Sequence, residues 1–232
     1  DLHRVDRRQR QMCIRDRNFI GDAFSNEMKA DVIKYIKEEF GGKIDLLIYS
    51  LASGMRTDPK DGVTYRSALK STKGEIVGPS INIEKDAMEE TTMGVATPEE
   101  IQSTVKVMGG EDWKLWVDAL DEAGVLTDGF KTVAYSYLGP KVTYGIYKDG
   151  TIGAAKRDLE HTSDVLNDFL KKKYNGEAYV SLSKALMTKA SAVIPIFPLY
   201  AALLYRVMKE KGIHEGTIQQ KHRLLTQMVY GN

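Results

Sequence analysis

Apolar residues recur at helical spacing through Met28, Val32, Ile33, Ile36 and Phe40. With Ser25 as N-cap and Gly41-Gly42 beyond, the pattern predicts an amphipathic helix over this stretch. Ile44-Asp45-Leu46-Leu47-Ile48-Tyr49 follows at once as a short, nearly unbroken apolar run, the pattern of a strand buried on both faces of a parallel sheet. Residues 131–137 and 178–182 repeat that kind of run and predict two more strands. Helical patterns fill most of the intervals. Thr97-Pro98-Glu99-Glu100 is a capping box with proline at the first helical position, ahead of Ile101, Val105 and Met108. Trp113, Trp116, Val117 and Leu120 line one side of the next helix, which starts at Glu111 and stops at Gly124. A long helix is predicted over 153–173, with Leu159, Val165, Leu166, Phe169 and Leu170 as its stripe, and two more over 199–211 and 217–229. Strands alternating with helices define an α/β chain, and a doubly wound parallel sheet is its economical architecture. Residues 54–96 break the rhythm. They mix glycine, proline, threonine and charge with β-like pieces at Thr64-Tyr65-Arg66 and Ile81-Asn82-Ile83, and predict an inserted β-rich hairpin or long loop.

Composition narrows the function classes. In 232 residues, 42% are hydrophobic, enough to build a core and to exclude disorder of the whole. Basic and acidic residues number 33 and 32, a net of +1, so no global field draws nucleic acid or an anionic membrane. A single cysteine, Cys13, excludes a disulfide framework and suits a reducing, cytoplasmic setting. The longest apolar run, 192–205, contains Pro195 and Pro198 and is shorter than the roughly 20 residues of a spanning helix. Residues 1–17 carry six arginines and three aspartates without apolar period. Met12-Cys13-Ile14-Arg15-Asp16-Arg17 resembles a translated sequencing adapter, so 1–17 is read as a non-native head and 18–232 as the domain proper.

In a doubly wound sheet, ligands bind beyond the carboxyl ends of the strands. Three such ends stand out: Ser50-Leu51-Ala52-Ser53, Ser136-Tyr137-Leu138-Gly139 and Ser183-Lys184-Ala185-Leu186-Met187-Thr188. Small residues there let a planar cofactor approach the backbone, and hydroxyls hold phosphate or amide groups; ordinary loops share the same composition. The sharpest pair is Tyr147 and Lys156. Free tyrosine and lysine titrate near about 10 and 10.4. An adjacent ammonium favours phenolate, which predicts a lowered tyrosine pKa in a range useful for proton donation. On an unbroken helix their spacing turns through about 900°, onto opposite faces. Asp149-Gly150-Thr151 supplies the break that lets both reach one site. Without that convergence they are an unrelated surface tyrosine and lysine. His161, His214 and His222 have no metal-ligand spacing, and no metal is expected. The apolar stretch 194–204 reads equally as core or as the wall of a greasy pocket.

Five short stretches join that pair: Gly21-Asp22-Ala23-Phe24-Ser25, Ser50-Leu51-Ala52-Ser53, Tyr135-Ser136-Tyr137-Leu138-Gly139-Pro140, Thr188-Lys189-Ala190-Ser191-Ala192-Val193-Ile194-Pro195 and His214-Glu215-Gly216. Together, and with eight residues between Tyr147 and Lys156, they resemble the long, monomeric NADH-dependent trans-2-enoyl-CoA reductases. These are also described as enoyl-acyl-carrier-protein reductases, extended relatives of the short-chain dehydrogenase/reductases. The resemblance implies a Rossmann-like fold and reduction of the trans-2 double bond of an enoyl-CoA or enoyl-acyl-carrier-protein in fatty acid synthesis. It implies that Asp22 and Ala23 flank the adenine, that Leu51 and Ala52 lie along the cofactor, and that Leu186, Met187 and Thr188 meet its nicotinamide and pyrophosphate end. Tyr137 is implied as the contact to the thioester, Tyr147 as proton donor, Lys156 as holder of the nicotinamide ribose, and Ile194 as a wall of the acyl pocket. Helices over about 190–230 are expected to cover the substrate. The family's opening strand, glycine-rich turn and acidic ribose-binding residue have no counterpart before Asn18. The expectation is therefore an internal fragment missing its first βαβ unit, with NADPH left open beside NADH. Carbonyl reduction by the same pair and a non-catalytic nucleotide-binding fragment are the competing readings.

Overall fold

The computed structural model describes residues 17–231 apart from 52, 83, 84, 186–190, 192, 193 and 195. Ser25 caps helix α1 (Asn26–Glu38), its side chain accepting from the Met28 amide. The helix stops before Phe40, which is exposed, and Gly41 and Gly42 take positive φ of 89° and 82° to turn the chain into the sheet. Three parallel strands follow in the order β1 (Ile44–Tyr49), β6 (Leu126–Ser136), β7 (Glu177–Leu182). The middle strand begins at Leu126 rather than at 131. Thr127-Asp128-Gly129 conceals it from an apolar pattern, and Gly129 at φ 75° lies where the register against β1 shifts.

Helices cover both faces of this sheet. On one face Phe130 and Ala134 of β6 and Ala178 of β7 join Ile36 of α1, Trp113, Val117 and Leu120 of α3 (Glu111–Glu122), and Leu159, Leu166 and Leu170 of α4 (Thr151–Tyr174). On the other, Val133 meets Leu224 and Val229, in a π-helical turn that continues α6 (Thr217–Arg223). The sheet is thus α/β and parallel, the expected class. Strand β1 is not buried on both faces. Leu47 and Tyr49 pack into the main core and Leu46, on the opposite face, packs against the Leu224–Val229 cluster, but Ile48 on that second face is 42% exposed.

Residues 54–96 contain two antiparallel hairpins, β2 (Met55–Thr57) with β3 (Thr64–Arg66) and β4 (Ile76–Asn82) with β5 (Ala87–Met93). Helix α2 (Pro98–Met108) starts with the capping box the sequence predicts: Glu100 N–H donates to Thr97 Oγ1, and Thr97 N–H donates to Glu100 Oε2. Helix α5 (Phe197–Glu210) follows β7. Among the described residues no helix is long and apolar enough to cross a membrane.

One buried ion pair escaped the hydrophobic pattern. Lys29, on the covered side of α1, places Nζ 2.9 Å from Asp112 Oδ1 and 2.8 Å from the Phe24 carbonyl. Tyr49 donates to the second carboxylate oxygen at 3.1 Å. Burial raises the Asp112 carboxyl, against the pull of Lys29, and raises the Tyr49 phenol as well. Removing one partner leaves the other charged and desolvated. Asp112→Ala is expected to lower unfolding stability by about 3–5 kcal/mol, whereas Lys29→Met with Asp112→Leu falls much closer to wild type; urea unfolding of the three proteins checks this.

Candidate active site

The site is built around a break between two backbone segments. Beyond β6 the chain runs through Tyr137 and a 3-10 turn (Lys141–Thr143) to Tyr147, then Asp149-Gly150, and only then enters α4. The turn is held by Thr143 N–H donating to the Pro140 carbonyl at 2.8 Å and Tyr147 N–H to the Thr143 carbonyl at 3.0 Å. The break itself is clamped by the segment that precedes β4. Thr72 N–H donates to the Asp149 carbonyl at 2.8 Å and Thr151 N–H donates to the Lys70 carbonyl at 2.9 Å, the two bonds of an antiparallel bridge between Ser71 and Gly150. A Cβ on Gly150 would lie 2.2 Å from the Ile146 carbonyl oxygen, and one on Gly153 2.2 Å from that of Tyr147. Only glycine admits this close approach of the helix start to the tyrosine backbone.

The consequence is that Tyr147 and Lys156 reach the same end of the central strand. Lys156 Nζ donates to the Tyr135 carbonyl at 3.0 Å, near the carboxyl end of β6. Tyr147 stacks edge-on to Tyr137, two residues further on, with ring centroids 4.8 Å apart. Among the described residues no hydrogen bond joins phenol and ammonium. The expected lowering of the Tyr147 pKa is not observed. Burial raises it, and the neighbouring Tyr137 and Tyr200 hydroxyls add to the rise, so the phenol is neutral. Burial also lowers the Lys156 pKa, opposed by Glu160. An ammonium has three donors, of which the Tyr135 carbonyl takes one.

Phe197 at the start of α5 completes an aromatic cluster, 5.8 Å from Tyr147 and 6.2 Å from Tyr137 between ring centroids. Burial raises the Tyr137 phenol, and its hydrogen bond to Tyr200 adds to this. Ile194 packs against the same cluster. A cavity of about 160 Å³ opens beside Tyr147, lined among others by Ile76, Gly145, Ile146, Ile196 and Tyr200. Sequence reasoning missed Ile76, because nothing in its local pattern connects a hairpin strand with residue 145. It also missed Lys221, whose Nζ lies 3.5 Å from the Tyr135 ring centroid and donates to Ser183 Oγ at 2.9 Å.

The other expected residues divide by place. Asp22 is exposed, and its Oδ1 accepts from the Phe24 amide at 2.9 Å. The Ala23 carbonyl accepts from Trp116 Nε1 at 3.1 Å. Leu51 is exposed just past β1. Asp22 and Ala23 thus sit before α1 against α3, and Leu51 follows β1, which pairs with β6. Ala52, Leu186, Met187 and Thr188 lie outside the described residues.

A parallel sheet between helices, with an apolar cavity and a tyrosine–lysine pair at its carboxyl end, is the architecture of α/β proteins that bind ligands at strand ends. Comparison with known proteins narrows the class. The trans-2-enoyl-CoA reductase catalytic region is a family whose model matches residues 3–230, and the chain belongs to that family. It is 57% identical over 215 residues to an NADH enoyl-acyl-carrier-protein reductase of Photobacterium profundum, covering 93% of this chain and 54% of that protein. An NADH trans-2-enoyl-CoA reductase of Clostridium beijerinckii is 56% identical over 214 residues, covering 92% and 54%. The crystal structure of trans-2-enoyl-CoA reductase from Clostridium acetobutylicum in complex with NADH superposes with a TM-score of 0.93 at 49% identity, covering 97% of this chain and 56% of that one. The chain spans about half the length of the curated relatives it matches.

Because burial favours the neutral phenol, Tyr147 is expected to ionise only above the ordinary tyrosine value of about 10. The ultraviolet difference titration between wild type and Tyr147→Phe checks this in the cofactor-free protein. A difference signal appearing near neutrality would contradict it.

Proposed function

We propose that the protein of which this chain forms part reduces the trans-2 double bond of an enoyl thioester, using NADH. The observation that carries this reading is that a neutral Tyr147 phenol beside an apolar cavity and a Lys156 ammonium bonded to the Tyr135 carbonyl both lie at the end of β6. Relatives with about half their length matched are named as NADH reductases of enoyl-CoA or enoyl-acyl-carrier-protein, which fits it.

The residues present suit the cofactor at its nicotinamide end. Among the described residues Lys156 forms no ion pair with a carboxylate and bonds the Tyr135 carbonyl, which leaves donors for a ribose diol. The Asp22-Ala23 turn is preformed by the Phe24 amide donating to Asp22 Oδ1 and by Trp116 Nε1 donating to the Ala23 carbonyl. No glycine-rich phosphate cradle is recognisable in the sequence, consistent with a domain whose first βαβ unit lies in the remainder of the protein and whose hairpins at 54–96 are an insertion. When bound, NADH supplies the hydride to the β-carbon of the enoyl group. Negative charge then grows on the thioester oxygen. Tyr147 Oη donates its hydrogen bond, then its proton, to that oxygen, the resulting enol gains its α-carbon proton as it tautomerises to the saturated thioester, and burial keeps the phenol protonated for the task. Lys156 orients the ribose and adds positive potential. Tyr137 contacts the thioester, and Ile194 with the aromatic cluster excludes water from it. The partner is an enoyl-CoA or enoyl-acyl-carrier-protein, the setting the cytoplasm, and the protein a monomer.

In the complete protein, Tyr147→Phe is expected to lower kcat by about a hundredfold to a thousandfold, the effect of losing one oxyanion donor, while NADH affinity stays within a few-fold. Steady-state reduction of an enoyl-CoA together with NADH titration by fluorescence measures both. Retained turnover would remove Tyr147 from the mechanism. Reduction of a ketone in place of the enoyl thioester would move the assignment to carbonyl chemistry.

A further inference from the structure

We propose that hairpin β4–β5 forms the end wall of the cavity beside Tyr147, and that Ile76 set against Gly145 limits the length of acyl chain the site accepts. This rests on the reading of the cavity as an acyl-thioester site and adds to it a specificity residue that the catalytic pair does not identify.

The wall is made by contacts across a large separation in sequence. A Cβ on Gly145 would lie 2.7 Å from Ile76 Cδ1, so the isoleucine occupies the space that any other residue at 145 would need. A Cβ on Gly78, two residues along β4 on the same face, would lie 3.1 Å from Ile196 Cδ1. Strand β4 therefore lies directly on the segment leading into α5. From the other strand, Met93 is buried at 2% exposure in the cluster that contains Ile146, Tyr147 and Phe197. The base of the hairpin is anchored as well, through Ser71 to Gly94, Val95 and Gly150. An anchored wall of this kind sets a length limit.

Tyr147 lines one side of this space and Ile76 another. A void of about 150 Å³ lined by apolar side chains takes a benzene-sized group, about six carbons. At about 160 Å³ the cavity therefore matches a short acyl tail, and a longer one meets Ile76. Each further methylene that finds room gains about 0.8 kcal/mol, close to a fourfold change in affinity.

The test uses the complete protein and two readouts: Kd for saturated acyl-CoAs from butyryl to dodecanoyl by calorimetry, and turnover of the matching trans-2-enoyl-CoAs. Wild type should gain affinity with length up to about six carbons and then plateau or fall. Ile76→Ala should move that limit outward by one or two methylenes, tightening the longer chains about fourfold per added methylene, with butyryl-CoA little changed. Ile76→Val should move it the same way by less, which guards against misfolding of the alanine variant. Gly145→Ala should shorten the limit, and adding Ile76→Ala should restore it. A shifted binding profile without any enoyl reduction supports the wall while defeating the reductase reading. Reduction with a length profile that none of the variants moves overturns the wall and leaves the reductase reading standing. Failure of wild type to bind any acyl-CoA overturns the wall.

Discussion

The close approach of Gly150 and Gly153 to the carbonyls of Ile146 and Tyr147 is the constraint on which the site depends. A continuous helix would carry Tyr147 and Lys156 on opposite sides. Starting α4 after the tyrosine, with its first turn pressed onto the tyrosine backbone, turns both toward the end of β6. Two main-chain hydrogen bonds from 70–72, which form the bridge between Ser71 and Gly150, hold this arrangement. The hairpin region is therefore not ornament on an α/β sheet. It fixes the angle at which the lysine-bearing helix leaves the site, and through Ile76 and Met93 it supplies the apolar side of the cavity.

A second device ties the far flank of the sheet together. Asp112 takes hydrogen bonds from Lys29 and Tyr49, and Lys29 also holds the Phe24 carbonyl. Next to it, Trp116 holds the Ala23 carbonyl, and Lys29 sits over the Trp116 ring at 5.1 Å. One carboxylate on α3 thus links the Asp22-Ala23 turn, the start of α1 and the last residue of β1. The family resemblance marks the first of these, and Leu51 just beyond the last, as cofactor-facing. A buried charge pair contributes little net stability, but it defines one arrangement of the three elements, since any slip leaves a charge unpaired.

Electrostatics at the two ends differ in kind. Around Asp112 the charges are paired and enclosed. Around Tyr147 the phenol is surrounded by other aromatics, with no cation among the described residues shifting it toward phenolate, and burial keeps its proton in place. The lysine bonds to a neutral carbonyl instead of a carboxylate. A neutral donor and an ammonium with free donors near the same strand end suit a reaction in which negative charge appears only transiently on a bound substrate, because neither group is neutralised beforehand.

Local chemistry determined much of this protein by itself. Ser25 and the Thr97 capping box act through neighbours three residues away, the glycines through their own φ, and the strand runs through side-chain pattern, so each was legible in the sequence. The tyrosine–lysine spacing and the break between them were legible too. Other features had no local signature. The early part of β6 hides behind Thr127-Asp128-Gly129, a bulge that only the partner strand reveals. Lys29 reads as an ordinary surface lysine until Asp112, far along the chain, is folded against it. The direction of the Tyr147 pKa reversed because its neighbours are Tyr137, Tyr200 and Phe197 and not an ammonium. Ile76 meets Gly145 only because a hairpin folds back across the sheet end. Tertiary structure decided these because desolvation and steric contact depend on which distant side chains arrive, and sequence periodicity carries no record of that.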